Sequence, residues 1–116
     1  MPINYEKGIL NEHLQVRESA GLFDVSHMGQ ILIPVDEKNI ISLSKFIPLD
    51  FDKINFNRCY YSFLLNNDGG IIDDLIISKI KYQDNKFFYI VYNSSRKEVD
   101  EKIFFNNLVD YFLLEN

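Results

Sequence analysis

Two consecutive aspartates, Asp73 and Asp74, lie inside an apolar segment of sequence GGIIDDLIIS, residues 69–78. Asp is among the residues most depleted from β-strands, yet the isoleucines and the leucine around the pair indicate a strand. Successive side chains of a strand point to opposite faces, so we expect Asp73 on the face of Leu75 and Asp74 on the face of Ile76. Both faces are apolar, neither is expected to be wet, and a carboxylate buried without a partner is costly. Each carboxylate should therefore be hydrogen-bonded, paired with a cation or held ready for a ligand.

Two interpretations of the aspartate pair stay open on this pattern. In the first, both aspartates are structural residues near a turn, capped by backbone amides of the hairpin sequence NNDGG, residues 66–70. In the second, one of them is a site carboxylate in an apolar pocket. Such a group can accept a proton, hold a cationic substrate nitrogen or stabilise positive charge in a transition state.

The other residues with chemical potential are weaker candidates. His27 lies beside Ser26 and Asp24 in the sequence DVSHM, but a catalytic triad is assembled in space, so adjacency in sequence is no evidence for one. His13 is expected on the solvated side of a helix. Two histidines and the single cysteine, Cys59, do not make a zinc ligand set, so no metal is expected. No phosphate-binding loop is expected either, because NDGG lacks the Gly and Lys pattern of such loops.

The composition is that of one small domain. The chain has 116 residues, of which 47% are hydrophobic and 15% aromatic, enough to build a core. The net charge of −5 argues against a nucleic-acid partner, which requires clustered Lys and Arg. A single cysteine excludes a disulfide framework and favours a reducing compartment. No apolar run reaches the length of a membrane span, and the N-terminus is not typical of a signal peptide. We therefore expect a cytoplasmic protein without a membrane partner.

Hydrophobic spacing and turn residues predict the elements that position the candidate side chains. Helices are expected at 7–20, 36–46 and 96–108. Strands are expected at 30–35, 59–65, 71–82 and 87–93. Helices before and after a mostly antiparallel β-meander indicate an α+β fold rather than an alternating α/β fold.

Local signals mark several ends of these elements. Gly21 suits a C-terminal cap of the first helix, and Ser95 to Glu98 have the form of a capping box for the last helix. The sequences NNDGG and QDNK are turns between the strands, and residues 109–116 are ambiguous between a strand and the end of a helix. The aromatic residues of the strands are expected in the core, although a few could form a stacking surface for a planar ring. They are Tyr60, Tyr61, Phe87, Phe88, Tyr89 and Tyr92.

Three blocks of the sequence resemble one family in composition, order and spacing. The blocks AGLFDVSHMGQI, YYSFLLNNDGGIIDDLIISKI and FYIVYNSSRKEVD are similar to the aminomethyltransferases, or T-proteins, of the glycine cleavage system. The resemblance runs from MPINY through KEVD, and the combination of FDVSHM with GGIIDDLI is specific. The folate-binding domains of sarcosine and dimethylglycine dehydrogenases share the fold, but DVSHMG looks more like the T-protein itself.

The resemblance implies a reaction and a set of site residues. The reaction transfers the carbon of an aminomethyl group on the lipoyl sulfur of H-protein to tetrahydrofolate, the co-substrate, and releases ammonia without a metal. By position in the motif, Asp74 matches the family's catalytic carboxylate, which can orient a folate nitrogen and stabilise positive charge. Asp73 would then serve the opposite face. Tyr61, Asn93 and Met28 match residues of the family's folate pocket, so together with Asp74 they are the predicted folate-binding residues.

Proteins of this family are longer than the present sequence, which implies that residues 1–116 form part of a folate-binding domain. The family's segment with GW before MP and its later domains, which supply further acidic and basic pocket residues, have no counterpart here. We therefore expect little or no transferase activity from the isolated chain. The alternative is a module of the same fold that binds folate or a partner protein without transfer chemistry. It would be either a truncated remnant or a relative of the folate domains of sarcosine and dimethylglycine dehydrogenases.

Overall fold

Three helices and five strands form from the described residues, 6–108 and 110–114, in the computed structural model of the chain. The helices are α1 (Ile9–Glu18), α2 (Glu37–Leu43) and α3 (Lys97–Asn107). The strands are β1 (Gly29–Pro34), β2 (Cys59–Leu65), β3 (Ile71–Tyr82), β4 (Asn85–Tyr92) and β5 (Phe112–Leu113). Short 3-10 turns lie at Phe51–Lys53 and Ser94–Arg96. None of these helices is long and apolar enough to cross a membrane. The stretch MPINY and residues 109, 115 and 116 lie outside the described residues.

The described strands form one sheet of order β2-β3-β4-β1-β5, in which all neighbouring strands are antiparallel. β3 and β4 are its central hairpin and pair from Leu75↔Tyr92 to Tyr82↔Asn85. The predicted α+β class and the antiparallel meander are thereby confirmed. Part of the ambiguous C-terminal stretch becomes β5, which pairs with β1.

Both predicted turns of the meander form, each from residues suited to its geometry. The side-chain oxygen of Asn66 accepts a hydrogen bond from the backbone N–H of Asp68 at 3.0 Å, and Gly69 adopts a positive φ of 79°. In the second turn Gln83 and Asp84 have φ angles of 47° and 65°. Two consecutive positive φ values give a tight two-residue turn whose twist matches that of the flanking strands.

One face of the sheet is buried beneath the segment 43–54 and α3. Phe104 of α3 packs on Tyr92 of β4 with their ring centroids 5.5 Å apart. The opposite face is more open, since Tyr61 is 64% exposed and Ile76 43% exposed. The buried apolar side chains of the core are Ile31, Ile33, Leu43, Phe46, Ile47, Phe51, Ile54, Leu64, Leu75, Ile77, Phe88, Ile90, Tyr92, Phe104 and Leu108.

Two predicted helix caps are wrong, and each helix is shorter than its predicted span. α1 ends at Glu18, so Gly21 does not cap it. A side chain at Gly21 would instead press against Val16, which accounts for glycine at this position. Ser95 lies in a 3-10 turn before α3, and Arg96 takes the N-cap position without a side-chain capping bond. The backbone of the turn, rather than a capping side chain, leads into the helix.

We expect Gly29→Ala to lower the free energy of unfolding by about 1–3 kcal/mol, the usual cost of overpacking a core. The reason is that a methyl group at Gly29 would overlap the buried ring of Tyr92. Urea unfolding of the two proteins measures the change. The same substitution in a Tyr92→Leu background should cost less, because the smaller side chain makes room for the methyl group. An equal cost in both backgrounds would show that the ring is not the cause.

Candidate functional site

Asp73 and Asp74 lie on opposite faces of β3, as predicted. Asp74 pairs across the sheet with Phe63 and Asp73 with Leu64, and directly paired residues of an antiparallel sheet share a face. Leu64 is fully buried, so Asp73 lies on the core side and Asp74 on the open side. The expectation that neither face is wet is wrong for Asp74, because Ile76 on the same face is 43% exposed.

The side-chain amide of Asn93 bridges the two aspartates. Its nitrogen donates to Asp73 Oδ1 at 2.8 Å and to Asp74 Oδ1 at 2.9 Å. Asp73 Oδ1 also accepts from the backbone N–H of Asp74 at 2.9 Å. Both amide hydrogens are thus directed at carboxylates, and the carbonyl oxygen of Asn93 is the atom that can accept a hydrogen bond from a ligand. Hairpin amides bond to Asn66 instead of the aspartates, so the capping proposed in the first interpretation is wrong.

Tyr61 lies diagonally across from Asp74 on the open face. It pairs with Ile76, two residues along β3 from Asp74, and long side chains reach across such a diagonal. Burial, followed by the negative charge of Asp74 and a hydrogen bond to it, raises the pKa of Tyr61 above its ordinary value. The ring packs edge-on against Phe63 with centroids 5.3 Å apart. The prediction that Tyr61 belongs to the core is wrong, and its exposed ring can pack against a planar ligand.

Met28 continues a row of residues that runs across the same end of the sheet. The residue after Met28 pairs with Tyr92 in the β1–β4 ladder, so continuing the ladder by one residue would place Met28 opposite Asn93. The β3–β4 ladder, continued by one residue beyond Tyr92, places Asn93 opposite Asp74. The structure therefore brings Asn93 and Asp74 together with Tyr61 beside Asp74, whereas the position of Met28 next to them follows from the continued register alone. Their parts in folate binding and catalysis stay predictions.

Asp100, on α3, is a polar residue at this site that sequence reasoning missed. It is 0% exposed, and its carboxyl group lies within hydrogen-bonding reach of Asp73. Burial, with a further contribution from Asp73, raises the pKa of Asp100 to about 7. Burial also opposes ionisation of Asp73, but hydrogen bonds from Asn93, the Asp74 backbone N–H and Asp100 hold the pKa of Asp73 below its ordinary value. The signal in the sequence is helical spacing, since Asp100 precedes the buried Phe104 by one turn.

Asp24, Ser26 and His27 do not form a catalytic triad. Ser26 donates its hydroxyl and its backbone N–H to the same oxygen, Asp24 Oδ1, the backbone bond being 2.9 Å long. These two bonds lower the pKa of Asp24. His27 is exposed and does not stand between the hydroxyl and the carboxylate, so the arrangement is a local turn. Within residues 6–108 and 110–114, no group of three or more His, Cys, Asp and Glu side chains is placed to hold a metal ion.

Of the four candidate residues, Tyr61 and Asp74 lie on the open face of the sheet. A surface hollow of about 820 Å³ occurs elsewhere, between α1 and residues 21–23, and none of the four lines it. A ligand seated between Tyr61 and Asn93 would contact the sheet on one side only. If this face binds a ligand, the described residues provide one wall of the site.

The fold and the site together define a class of protein. It is an α+β domain whose antiparallel sheet carries a carboxylate with a tyrosine beside it on the open face and an asparagine hydrogen-bonded to that carboxylate. Comparison of the sequence with protein families agrees with this description and sharpens it. The chain belongs to the GCVT N-terminal domain family, whose model matches residues 1–115. The resemblance seen in the three sequence blocks is thereby confirmed.

Known relatives carry the name aminomethyltransferase. The aminomethyltransferase of Caldanaerobacter subterraneus is 39% identical over 107 residues, which are 92% of this chain and 27% of that protein. The aminomethyltransferase of Clostridium botulinum strain Okra is 39% identical over 109 residues, 90% of this chain and 27% of that protein. The crystal structure of glycine cleavage system aminomethyltransferase T from Bartonella henselae superposes with a TM-score of 0.80 at 36% identity, over 99% of this chain and 32% of that one. The chain thus spans about a quarter to a third of the length of the relatives it matches.

Proposed function

We propose that this chain is part of an aminomethyltransferase of the glycine cleavage system. The reaction transfers the one-carbon unit of aminomethyl-lipoyl H-protein to tetrahydrofolate and gives 5,10-methylenetetrahydrofolate, ammonia and dihydrolipoyl H-protein. Residues 1–116 are then part of a folate-binding domain, with folate and the lipoylated H-protein as partners. One observation carries the proposal: in a chain of this family, Asn93 fixes the Asp74 carboxylate on the open sheet face beside Tyr61.

The donor set at the site suits a folate. Tetrahydrofolate would supply the nitrogens that accept the carbon. Asp74 would accept a hydrogen bond from a folate N–H and stabilise the positive charge that develops on the aminomethyl carbon. The carbonyl oxygen of Asn93 would accept a hydrogen bond from the pterin edge, while the ring of Tyr61 and the thioether of Met28 would pack against the planar ring system. Because the side-chain amide of Asn93 donates both of its hydrogens to Asp73 and Asp74, this side chain can only accept a hydrogen bond from the ligand.

The cellular setting follows from the same proposal. Cys59 is a free cysteine, and the chain holds no second cysteine with which to form a disulfide. Such a chain suits a reducing compartment. We propose the cytoplasm.

A hybrid enzyme tests the proposed function directly. In this hybrid, the present chain replaces the matching 107-residue segment of the Caldanaerobacter aminomethyltransferase, which supplies the remaining walls of the site. Purified hybrid enzyme is mixed with aminomethylated H-protein and tetrahydrofolate, and formation of 5,10-methylenetetrahydrofolate is followed. We expect transfer at a rate within about tenfold of the parent enzyme, a loss of about 1.4 kcal/mol or less. A folded hybrid enzyme that binds tetrahydrofolate but transfers nothing would overturn the transferase assignment.

That same outcome would support the second candidate function, a folate-binding or partner-binding module without transfer chemistry. The observation in favour of the module is the openness of the site. Tyr61 is 64% exposed, and the described residues give one wall only. Tetrahydrofolate binding without turnover in the hybrid enzyme would therefore favour the module.

The isolated chain is expected to transfer the one-carbon unit at least about a hundredfold more slowly than the hybrid enzyme. The physical reason is that one wall of a site cannot fix two reactants in a productive geometry or exclude water from them. The same transfer assay, run on the isolated chain at equal concentration, provides the measurement. Turnover close to that of the hybrid enzyme would contradict the prediction.

A further inference from the structure

Asp100 and Asp73 approach each other on the core side of the sheet, where Asp100 is buried and Asp73 is partly buried. Asp100 is 0% exposed, like Phe104 one helical turn further along α3. Asp73 reaches it from the core side of β3, beneath the open face that carries Asp74. Two carboxyl groups from different elements therefore meet at the interface between helix and sheet.

Three buried oxygens at this contact accept no hydrogen bond from a donor among the described residues. They are both carboxyl oxygens of Asp100 and Oδ2 of Asp73. If both groups were ionised, two negative charges would face each other in a dry environment, at a cost of several kcal/mol. One proton placed between them removes a charge and forms an O–H···O⁻ bond, which is among the strongest hydrogen bonds in proteins.

The position of the proton follows from what surrounds each carboxyl group. Asp73 Oδ1 accepts from the Asn93 amide at 2.8 Å and from the Asp74 backbone N–H at 2.9 Å. Two such donors favour the charged form of Asp73. Asp100 receives no comparable donors and therefore keeps the proton.

The charged and titratable groups around Asp100 change its pKa in opposite directions. Arg96, before α3, favours ionisation of Asp100, whereas Asp73 and Glu101 disfavour it. On β4, the hydroxyl of Tyr92 donates its hydrogen bond to Glu101 at 2.8 Å, so it does not donate to Asp100. Burial outweighs the attraction of Arg96 and raises the pKa of Asp100 to about 7.

We propose that Asp100 is a positioning residue of the site: it shares one proton with Asp73, and this buried pair holds Asn93, which in turn holds the Asp74 carboxylate at the open face. The catalytic consequence rests on the proposed function, whereas the proton-sharing pair does not. When the shared proton is lost, both carboxyl groups are negatively charged and repel each other. Asp73 then shifts relative to the Asn93 amide, and the hydrogen bond from Asn93 to Asp74 loosens.

NMR on the isolated chain tests the pair without folate or H-protein. The side-chain amide protons of Asn93 and the carboxyl carbons of Asp73 and Asp100 are followed from about pH 5 to about pH 9, a range that spans the expected midpoint. We expect the Asn93 amide signals of the wild type to move with the same midpoint as the Asp100 carboxyl carbon, near neutrality. In Asp100→Asn, the new side-chain amide donates to Asp73 at every pH, so the Asn93 signals should stay at their low-pH wild-type positions. Asn93 signals that do not move in the wild type, or an Asp100 that titrates like an exposed aspartate, would overturn the proposal.

A second measurement connects the pair to catalysis. In the hybrid enzyme, the transfer rate of the wild-type sequence should fall by up to about tenfold as pH rises through the midpoint, the size of an indirect effect through one hydrogen bond, and then level off. Asp100→Asn should remove that fall. A purely structural Asp100 would lower the rate equally at all pH values. A pH profile of Asp100→Asn parallel to that of the wild type would overturn the positioning role while leaving the NMR result intact. An inactive hybrid enzyme would instead count against the proposed function.

Discussion

Replacement of Asp74 by Asn in the hybrid enzyme is expected to lower kcat by about 10²–10³-fold, the usual loss when one electrostatic group at a reacting centre is removed. The substitution keeps the size of the side chain and an oxygen that can accept from Asn93, which now donates to Asp74 at 2.9 Å. It removes only the negative charge on the open face. Because packing is retained, the dissociation constant of tetrahydrofolate should change by less than about tenfold, or 1.4 kcal/mol. Single-turnover kinetics give the rate, and an equilibrium titration gives the affinity.

Asp73→Asn is the matched control, since it makes the same chemical change one residue away on the opposite face. Its oxygen can still accept from Asn93, and its new amide can donate to Asp100. We expect a rate loss of less than about tenfold, the size of an indirect effect through one hydrogen bond. Equal losses in the two variants would mean that the charge of Asp74 has no special part. A larger loss in Asp73→Asn would mean that Asp73, on the core side of the strand, is the catalytic carboxylate and that our assignment to Asp74 is wrong.

Local sequence signals were sufficient for the strands that carry the site. The bounds of β2 and β3 coincide with those predicted, at 59–65 and 71–82. Both strands are apolar runs closed by turn residues whose positive φ values are needed in the hairpins. Alternation along β3 then placed Asp73 and Asp74 on opposite faces without knowledge of any partner. Such features depend on the nearest neighbours in sequence, which is why they could be predicted.

Features that depend on distant neighbours were not predictable in the same way. Tyr61 was assigned to the core because an aromatic residue in an apolar strand usually packs there, but no helix of the described residues buries its face of the sheet. Asp100 was overlooked because a charged residue on a helix usually faces solvent. Only the docking of α3 on the sheet sets it against Asp73. The family resemblance pointed to Asn93 as a pocket residue, but not to its bonds with both aspartates.

The buried carboxyl pair should make the free energy of unfolding decrease as pH rises towards neutrality. An acid whose pKa is higher in the folded than in the unfolded chain binds more protons when folded, so stability falls as pH rises between the two values. For Asp100 these values are 3.8 and about 7. Its contribution is complete below about pH 4 and lost as pH rises through about 7, a difference of roughly 4 kcal/mol. The pKa of Asp73 is lowered instead, so its stabilisation is lost only as pH falls below about 4 and does not mask this window.

Urea unfolding at about pH 5 and about pH 8, compared between the wild type and Asp100→Asn, isolates this contribution. All other titrating groups are common to the two proteins, so their effects cancel in the difference. The wild type should lose about 2–3 kcal/mol more than Asp100→Asn between the two conditions, because they span only part of the window from 3.8 to about 7. Asp68→Asn, which makes the same chemical change at an exposed aspartate of the β2–β3 turn, is the matched control. If Asp100→Asn kept the wild-type slope, Asp100 would be ionised across the whole range. The interface between α3 and β3 would then have to compensate a buried charge on Asp100, to which no described residue donates a hydrogen bond.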